Sequence, residues 1–299
     1  MRVIEGRTER YRQQAYGSVM RVLGSRVCSR SLKRFCDSAF SRILIPLFVR
    51  AYGIDTSEIG RPLKSYRSLT DFFVRDIHPD LRPADPDPAA VVSPVDGYVQ
   101  TFGDIADDCT FEVKGKRYSF EELTSMKLGY SGFAGGKFII LYLSPAEYHH
   151  FHSPASGEGR QIAELGRRSL PVNAAGWRYG GRLLALNHRI VFEIRRRSSS
   201  LLMVAVGALN VNSIELNNPR SFWRKGEEVG YFSFGSTVVC LFERERIEWS
   251  ETLQEEDRLR VGERIAIWKQ KPDNAAEQGG EQACPKKCWS SKTNAESGS

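Results

Sequence analysis

The 299-residue sequence lacks any apolar stretch long enough to cross a bilayer. Its longest strongly apolar run, residues 39–49 (AFSRILIPLFV), carries Arg42 and Pro46 and falls far short of the ~20 residues a spanning helix needs. The opening residues are polar and without the apolar segment of an export signal, so export is not expected. The six cysteines (Cys28, Cys36, Cys109, Cys240, Cys284, Cys288) are scattered, which argues against a disulfide framework and predicts reduced thiols. Cys284 and Cys288 share a polar CPKKC string, but no histidine or second cysteine pair stands near to complete a metal site. There is no internal repeat and no recognisable nucleic-acid motif, and the aromatics do not cluster with the basic residues. Acid is scarce at the start: residues 1–50 hold three acids against eleven Arg or Lys. The net charge of +7 therefore resides in the N-terminus, and the remainder is close to neutral. That asymmetry predicts an anionic surface as partner. Arginines interleaved with apolar clusters suit an interfacial segment on anionic lipid, and no nucleic-acid partner is expected. A solvated helix face over a core helix is the plainer alternative.

What is present divides into three textures. Residues 7–52 read as helical segments, and a further helix is expected around Ser68-Leu69-Thr70-Asp71-Phe72-Phe73. Residues 82–90 (RPADPDPAA) form a proline-rich loop. From residue 91 short apolar runs alternate with glycines: KFIILYLS, HRIVFEI, LLMVAVGALNVNSIEL, STVVCLF. Runs of this length, rich in β-branched and aromatic residues, are strands. They do not alternate with ten-residue helical patterns, so a doubly wound parallel sheet is not expected. The expected fold class is α+β, a helical basic N-terminal region followed by a mostly antiparallel β-rich core. The expected boundaries are 1–60 for a membrane-associating region, 61–268 for the β-rich domain and 269–299 for a disordered polar tail.

Three stretches could carry chemistry. Ser93-Pro94-Val95-Asp96-Gly97 is turn chemistry and by itself says little. Residues 143–154 (LSPAEYHHFHSP) hold three of the five histidines. Ser144 suits an N-cap, Pro145 the first helical position and Glu147 a capping box, so a helical turn is predicted with His149 and His152 on one face. A strand would instead pair His150 with His152. A zinc site would need a third ligand, and a satisfied structural cluster is the other alternative to a catalytic histidine. Residues 231–240 (YFSFGSTVVC) read as one buried strand interrupted by Gly235-Ser236. A hydroxyl there is oddly placed for structure but well placed to attack the Gly235 carbonyl, which a glycine leaves open. Such an attack needs a base and an orienting carboxylate, for which Asp96, His152 and Ser236 are the candidate set.

These motifs, in order from about Tyr66 to Glu243, resemble the phosphatidylserine decarboxylase family. YRSLTDFFVRDI with RPADPDP resembles its N-terminal block, SPVDG its Asp-Gly motif, and LSPAEYHHFHSP its Tyr-His-x-x-His-x-Pro signature. VGALNVNSIEL resembles its strand before the cleavage region, and KGEEVGYFSFGSTVV its cleavage motif. His150 stands where many members have Arg, Phe234 where Leu or Gly is usual, and His188 where an acid is common. The resemblance implies autocatalytic serinolysis at Gly235-Ser236, which converts Ser236 into a covalent pyruvoyl group. It implies Asp96, His152 and Ser236 as the processing triad and His149 as the acid/base of decarboxylation. It implies phosphatidylserine as substrate, its amine condensing with the pyruvoyl carbonyl. It further implies a heterodimer of the two cleaved chains, open to further oligomerisation and peripheral on the cytoplasmic face of the cell membrane. No metal is expected. The alternatives are a non-cleaving lipid-binding module of the same fold and a zinc hydrolase built on the 149–152 histidines.

Overall fold

Two unbroken apolar strings, KFIILYL and STVVCLF, lie side by side at the centre of the molecule, because each must bury both of its faces. The computed structural model describes residues 26–269 apart from 127–130, 169, 171, 173, 180, 198, 209–213 and 218–219. The expectations for residues 1–25, for the part of VGALNVNSIEL at 209–213 and for the tail with Cys284 and Cys288 lie outside the described residues.

The strands in chain order are β1 (Ala90–Val92), β2 (Gly97–Asp104), β3 (Thr110–Val113), β4 (Lys116–Ser119), β5 (Lys137–Leu143) and β6 (His150–His152). Next come β7 (Gly157–Leu165), β8 (Arg189–Arg195), β9 (Ser200–Gly207), β10 (Ile214–Leu216), β11 (Phe222–Trp223) and β12 (Glu228–Phe232). The last are β13 (Ser236–Phe242), β14 (Ile247–Trp249), β15 (Arg258–Leu259) and β16 (Arg264–Trp268). An eight-stranded sheet runs β11-β7-β8-β9-β13-β5-β2-β15, and every ladder in it is antiparallel. Smaller antiparallel sheets, β10-β12-β6, β1-β16-β14 and β3-β4, complete the α+β architecture.

The period-2 geometry of a strand sorts the side chains of β13. Val238, Cys240 and Phe242 join the core that also holds Phe151, Phe232 and Trp268. Val239 and Leu241 join a second core with Phe111, Tyr118, Phe120 and Trp177 on the opposite face. Ser236 shares the parity of Val238, and Thr237 that of Val239.

Two expectations need correction. Residues 231–240 are not one strand. β12 ends at Phe232, a bend covers 233–234, Gly235 follows, and β13 begins at Ser236 in a different sheet. The Gly-Ser step thus joins two sheets. Nor is the histidine stretch a helical turn. Ser144 closes only a turn, with Glu147 N–H donating to Ser144 O at 3.0 Å, and the chain then enters β6. The ladder from β6 to β12, with His150 opposite Tyr231, supplies the backbone bonds that a single helical turn would have supplied.

The helix expected at Ser68–Phe73 is present as Leu69–Phe73, with the Ser68 hydroxyl accepting from Asp71 N–H. It packs with Ile45, Ile54, Ile59 and Tyr66 into a small separate core that also touches Ala146. Helices Arg26–Asp37 and Ile45–Tyr52, joined by a 3-10 turn at Ala39–Leu44, precede it. Among the described residues no helix is long and apolar enough to cross a membrane.

Candidate active site

Ser236 opens the central strand, opposite Leu143 of β5 on one side and Gly207 of β9 on the other. It is fully buried, and its hydroxyl has no hydrogen-bond partner among the described residues. A buried hydroxyl left unpaired costs about 1–3 kcal/mol, so its retention needs a chemical reason. The reason offered for Gly235 is not seen in the fold. A methyl group at 235 would meet nothing within 4 Å, and its φ lies outside the left-handed region. Gly235→Ala on an uncleavable Ser236→Ala background is therefore expected to fold and to melt no lower than its parent. Any gain should stay within about 1 kcal/mol, from the stiffer unfolded chain. Thermal unfolding of the pair checks this. Glycines that do need their small size lie elsewhere, among them Gly97, where a Cβ would sit 2.6 Å from Tyr142 O, and Gly230, where it would sit 2.2 Å from Glu215 O.

Two histidines flank the region in different settings. His149 precedes β6 and is wholly buried. Its Nδ1 donates to Glu147 O at 2.9 Å, which leaves Nε2 as a lone pair with no partner among the described residues. Its imidazole lies 4.0 Å from the Phe73 ring, and Phe73 in turn stacks on Phe234 at 6.0 Å. Burial above all, and then the charge of Arg75, push its pKa down to about 3. Arg75 is itself buried and donates Nη2 to the carbonyls of Ala146 and Glu147, at 2.9 Å for the latter. It thereby ties down the segment that presents His149.

His152 donates Nδ1 to Gly226 O at 3.0 Å, and its Nε2 faces the Tyr148 hydroxyl at 3.4 Å. Burial is the main cause of a lowered pKa, and the carboxylates of Glu228 and Asp96 oppose it. Both imidazoles are neutral at pH 7. His150, between them, bonds Glu228 at 2.8 Å and Val74 O at 3.1 Å.

Asp96 is placed near His152 because the backbone N–H of His152 donates to Pro94 O at 2.7 Å. The two side chains do not hydrogen-bond. The Asp96 carboxylate is held by Arg82, with Nε at 2.9 and 3.0 Å and Nη2 at 2.6 Å, and by Val261 N–H at 2.8 Å. Arg82 continues to Glu58 at 2.7 Å. The fold therefore joins Asp96 to His152 by backbone and by electrostatic field, and sets His149 against Phe73, which in turn stacks on Phe234. It leaves the Ser236 hydroxyl bonded to neither histidine. Sequence reasoning passed over Arg75, Arg82, Tyr148 and Gly226. The two arginines were visible only as members of FFVRDI and RPADPDP, and Tyr148 as the residue before the histidines.

Among the described residues no three His, Cys, Asp or Glu side chains are grouped to hold a metal ion, so the zinc alternative has no ligand set here. The family model described as phosphatidylserine decarboxylase matches residues 69–267. The chain is 45% identical over 250 residues to the phosphatidylserine decarboxylase proenzyme of Bacillus subtilis (strain 168), across 84% of this chain and 95% of that protein. It is 42% identical over 255 residues to the proenzyme of the same name from Bacillus thuringiensis subsp. konkukian (strain 97-27), across 85% of this chain and 97% of that protein.

Proposed function

Because the chain belongs to the phosphatidylserine decarboxylase family, we propose that it converts phosphatidylserine to phosphatidylethanolamine with a pyruvoyl group made from its own Ser236. The observation that carries this reading is the Ser236 hydroxyl, buried without a partner at the start of the central strand. The direct test is release of labelled carbon dioxide from carboxyl-labelled phosphatidylserine by the purified chain. A folded, cleaved chain that releases none overturns it.

In processing, Ser236 Oγ attacks the Gly235 carbonyl carbon. Neutral His152 takes the hydroxyl proton and returns it to the departing Ser236 nitrogen, so the amide becomes an ester. Loss of the Cα proton and of the Gly235 carboxylate from Cβ leaves a dehydroalanine, which water converts to the pyruvoyl group and ammonia. Asp96, fixed by Arg82, biases His152 through its charge, while Gly226 O fixes the tautomer. The pieces are residues 1–235 and 236–299. β13 stays between β9 and β5, both on the first piece, so the two remain paired as a heterodimer.

The residue-236 position fits a pyruvoyl group, since the ketone removes the buried O–H donor that Ser236 leaves without a partner among the described residues. That group supplies the electron sink that no amino-acid side chain offers. The chain's own part is to hold a dry site and to move one proton. His149, with Nε2 free and buried, carries the proton that replaces the departing carboxyl. Phe73 and Phe234 keep water from it. In the unprocessed chain His149 is a base. A bound anionic headgroup raises its proton affinity and loads it.

The membrane partner falls to the helical region ahead of residue 60. Phe40 is 84% exposed, Ile43 81% and Leu47 64%, with Arg42 and Arg50 also exposed. Single exposed apolar residues are ordinary, but a cluster beside arginines suits the surface of an anionic bilayer. This supports the reading of a peripheral enzyme on the cytoplasmic face of the cell membrane. Changing Phe40, Ile43 and Leu47 together to Ser should weaken binding to phosphatidylserine vesicles at least tenfold, the equivalent of about 1.4 kcal/mol and less than one fully buried side chain supplies. Self-cleavage should be untouched. Sedimentation with vesicles reads the change, and equal binding would remove these residues from the anchor.

A further inference from the structure

The carbonyl that Ser236 attacks is already engaged. Gly235 O accepts a hydrogen bond from Ala208 N–H at 2.8 Å. Ala208 directly follows β9 and is fully buried, whereas the preceding Gly207 N–H turns the other way, to His188 O at 2.9 Å. We propose that the Ala208 backbone N–H is the oxyanion donor of the self-cleavage step. The inference rests on the reading of Gly235-Ser236 as the processing bond.

The chemistry requires such a group. As Oγ bonds to the carbonyl carbon, the C=O electron pair moves onto Gly235 O, and the Oγ proton leaves to a base. When the C–N bond breaks, that pair returns to form the ester carbonyl, and the nitrogen takes up a proton. Between those events the oxygen is an anion held against the fully buried Ala208, where one well-placed donor stabilises it more than in bulk water. The observed 2.8 Å is to the ground-state carbonyl oxygen, and because that oxygen stays anchored while the carbon pyramidalises, the donor remains within reach of the oxyanion.

Position also explains why one bond is chosen. Thr237 carries a second buried hydroxyl without a partner among the described residues, adjacent to the Ser236 carbonyl. That carbonyl lies inside the ladders of β13 with both neighbours. Gly235 lies one residue outside the strand. Its peptide is held by Ala208 on one side and followed upstream by a bend, so the carbonyl carbon can pyramidalise while its oxygen stays anchored.

The test replaces the Ala208 amide by an ester in the full chain, with the α-hydroxy acid introduced by nonsense suppression, which swaps N–H for O and alters no side chain. The half-time of self-cleavage should lengthen by about a hundred- to a thousandfold, the usual effect of losing one oxyanion donor. The comparison is an ester at Val206, two residues back. Val206 lies opposite Thr237, and ladder alternation turns its N–H toward β13 as well. That variant loses one ladder bond but none to Gly235, and should cleave at the parent rate. Parent-rate cleavage in the Ala208 ester, or equal slowing in both esters, overturns the proposal, because the bond would then serve only the sheet. Ser236→Ala in parallel keeps the premise separate: cleavage there at the same bond would overturn the reading of the processing site itself.

Discussion

Ser236→Ala should stay a single chain and should release no carbon dioxide from phosphatidylserine at any protein concentration. Both losses have one cause. Alanine offers no oxygen to attack Gly235, and without the attack no carbonyl is ever created to accept electrons from the substrate. The effect is all-or-none, because the missing group is the electron sink itself rather than an aid to it. Folding should be spared, since the substitution removes a buried hydroxyl that has no partner among the described residues, and its melting temperature should equal or exceed that of a slowly cleaving variant. Intact mass under denaturing conditions reads the first outcome and labelled carbon dioxide the second. Cleavage of the alanine variant between 235 and 236 would require a different nucleophile.

The second large effect separates His149 from His152. His152→Ala should remain whole and inactive, for want of the base that takes the Ser236 proton. His149→Ala should cleave, and its small piece should react with phenylhydrazine, yet turnover should fall by about a hundred- to ten-thousandfold. The two-gel-band, no-turnover phenotype is the diagnostic one. The opposite assignment, with His149→Ala uncut and His152→Ala cut but slow, would exchange the two roles. Acid dependence adds a second readout for His152. Its pKa in the fold lies below the usual 6.5, chiefly through burial, so it stays a competent base as pH drops through that value. Self-cleavage should persist at mildly acidic pH and fail only further down, where the buried imidazole is finally protonated. A loss centred on 6.5 or above would mean that the base is a solvated histidine.

The strands were readable because a segment buried on both faces writes itself as an uninterrupted apolar run, as KFIILYL and STVVCLF do. The helix at Leu69–Phe73 lies in the stretch expected to be helical, and the structure adds its Ser68 cap. The histidine stretch misled for a local reason. Ser-Pro-x-Glu carries helix-start chemistry, but the strand Glu228–Phe232, almost eighty residues later, offered the chain an edge to pair with. Likewise the bend at 233–234 is silent in an apolar sequence, because it depends on where two sheets meet. Candidate site residues could be named from their motifs, yet their contacts could not. Arg82 reaches Asp96 across 14 positions and Arg75 reaches Glu147 across 72, and no spacing rule encodes pairs of that separation. The empty space around Gly235 was equally invisible, because it is a property of the neighbours.

The place of the Ser236 strand in the sheet has a bearing on how such a molecule is made in the cell. During synthesis the segments Lys137–Leu143 and Leu201–Gly207 leave the ribosome first, and the strand that must slot between them comes last. Until it does, the Gly235 carbonyl has no partner on the 207–208 segment. A chain that misfolds, is truncated early or is trapped half-assembled therefore never acquires a catalytic carbonyl. On the proposed mechanism, maturation acts as an inspection stamp that only a finished sheet can apply, once, irreversibly and without help from another protein. A pool of such enzyme would count its correctly folded members by the fraction of chains cut in two.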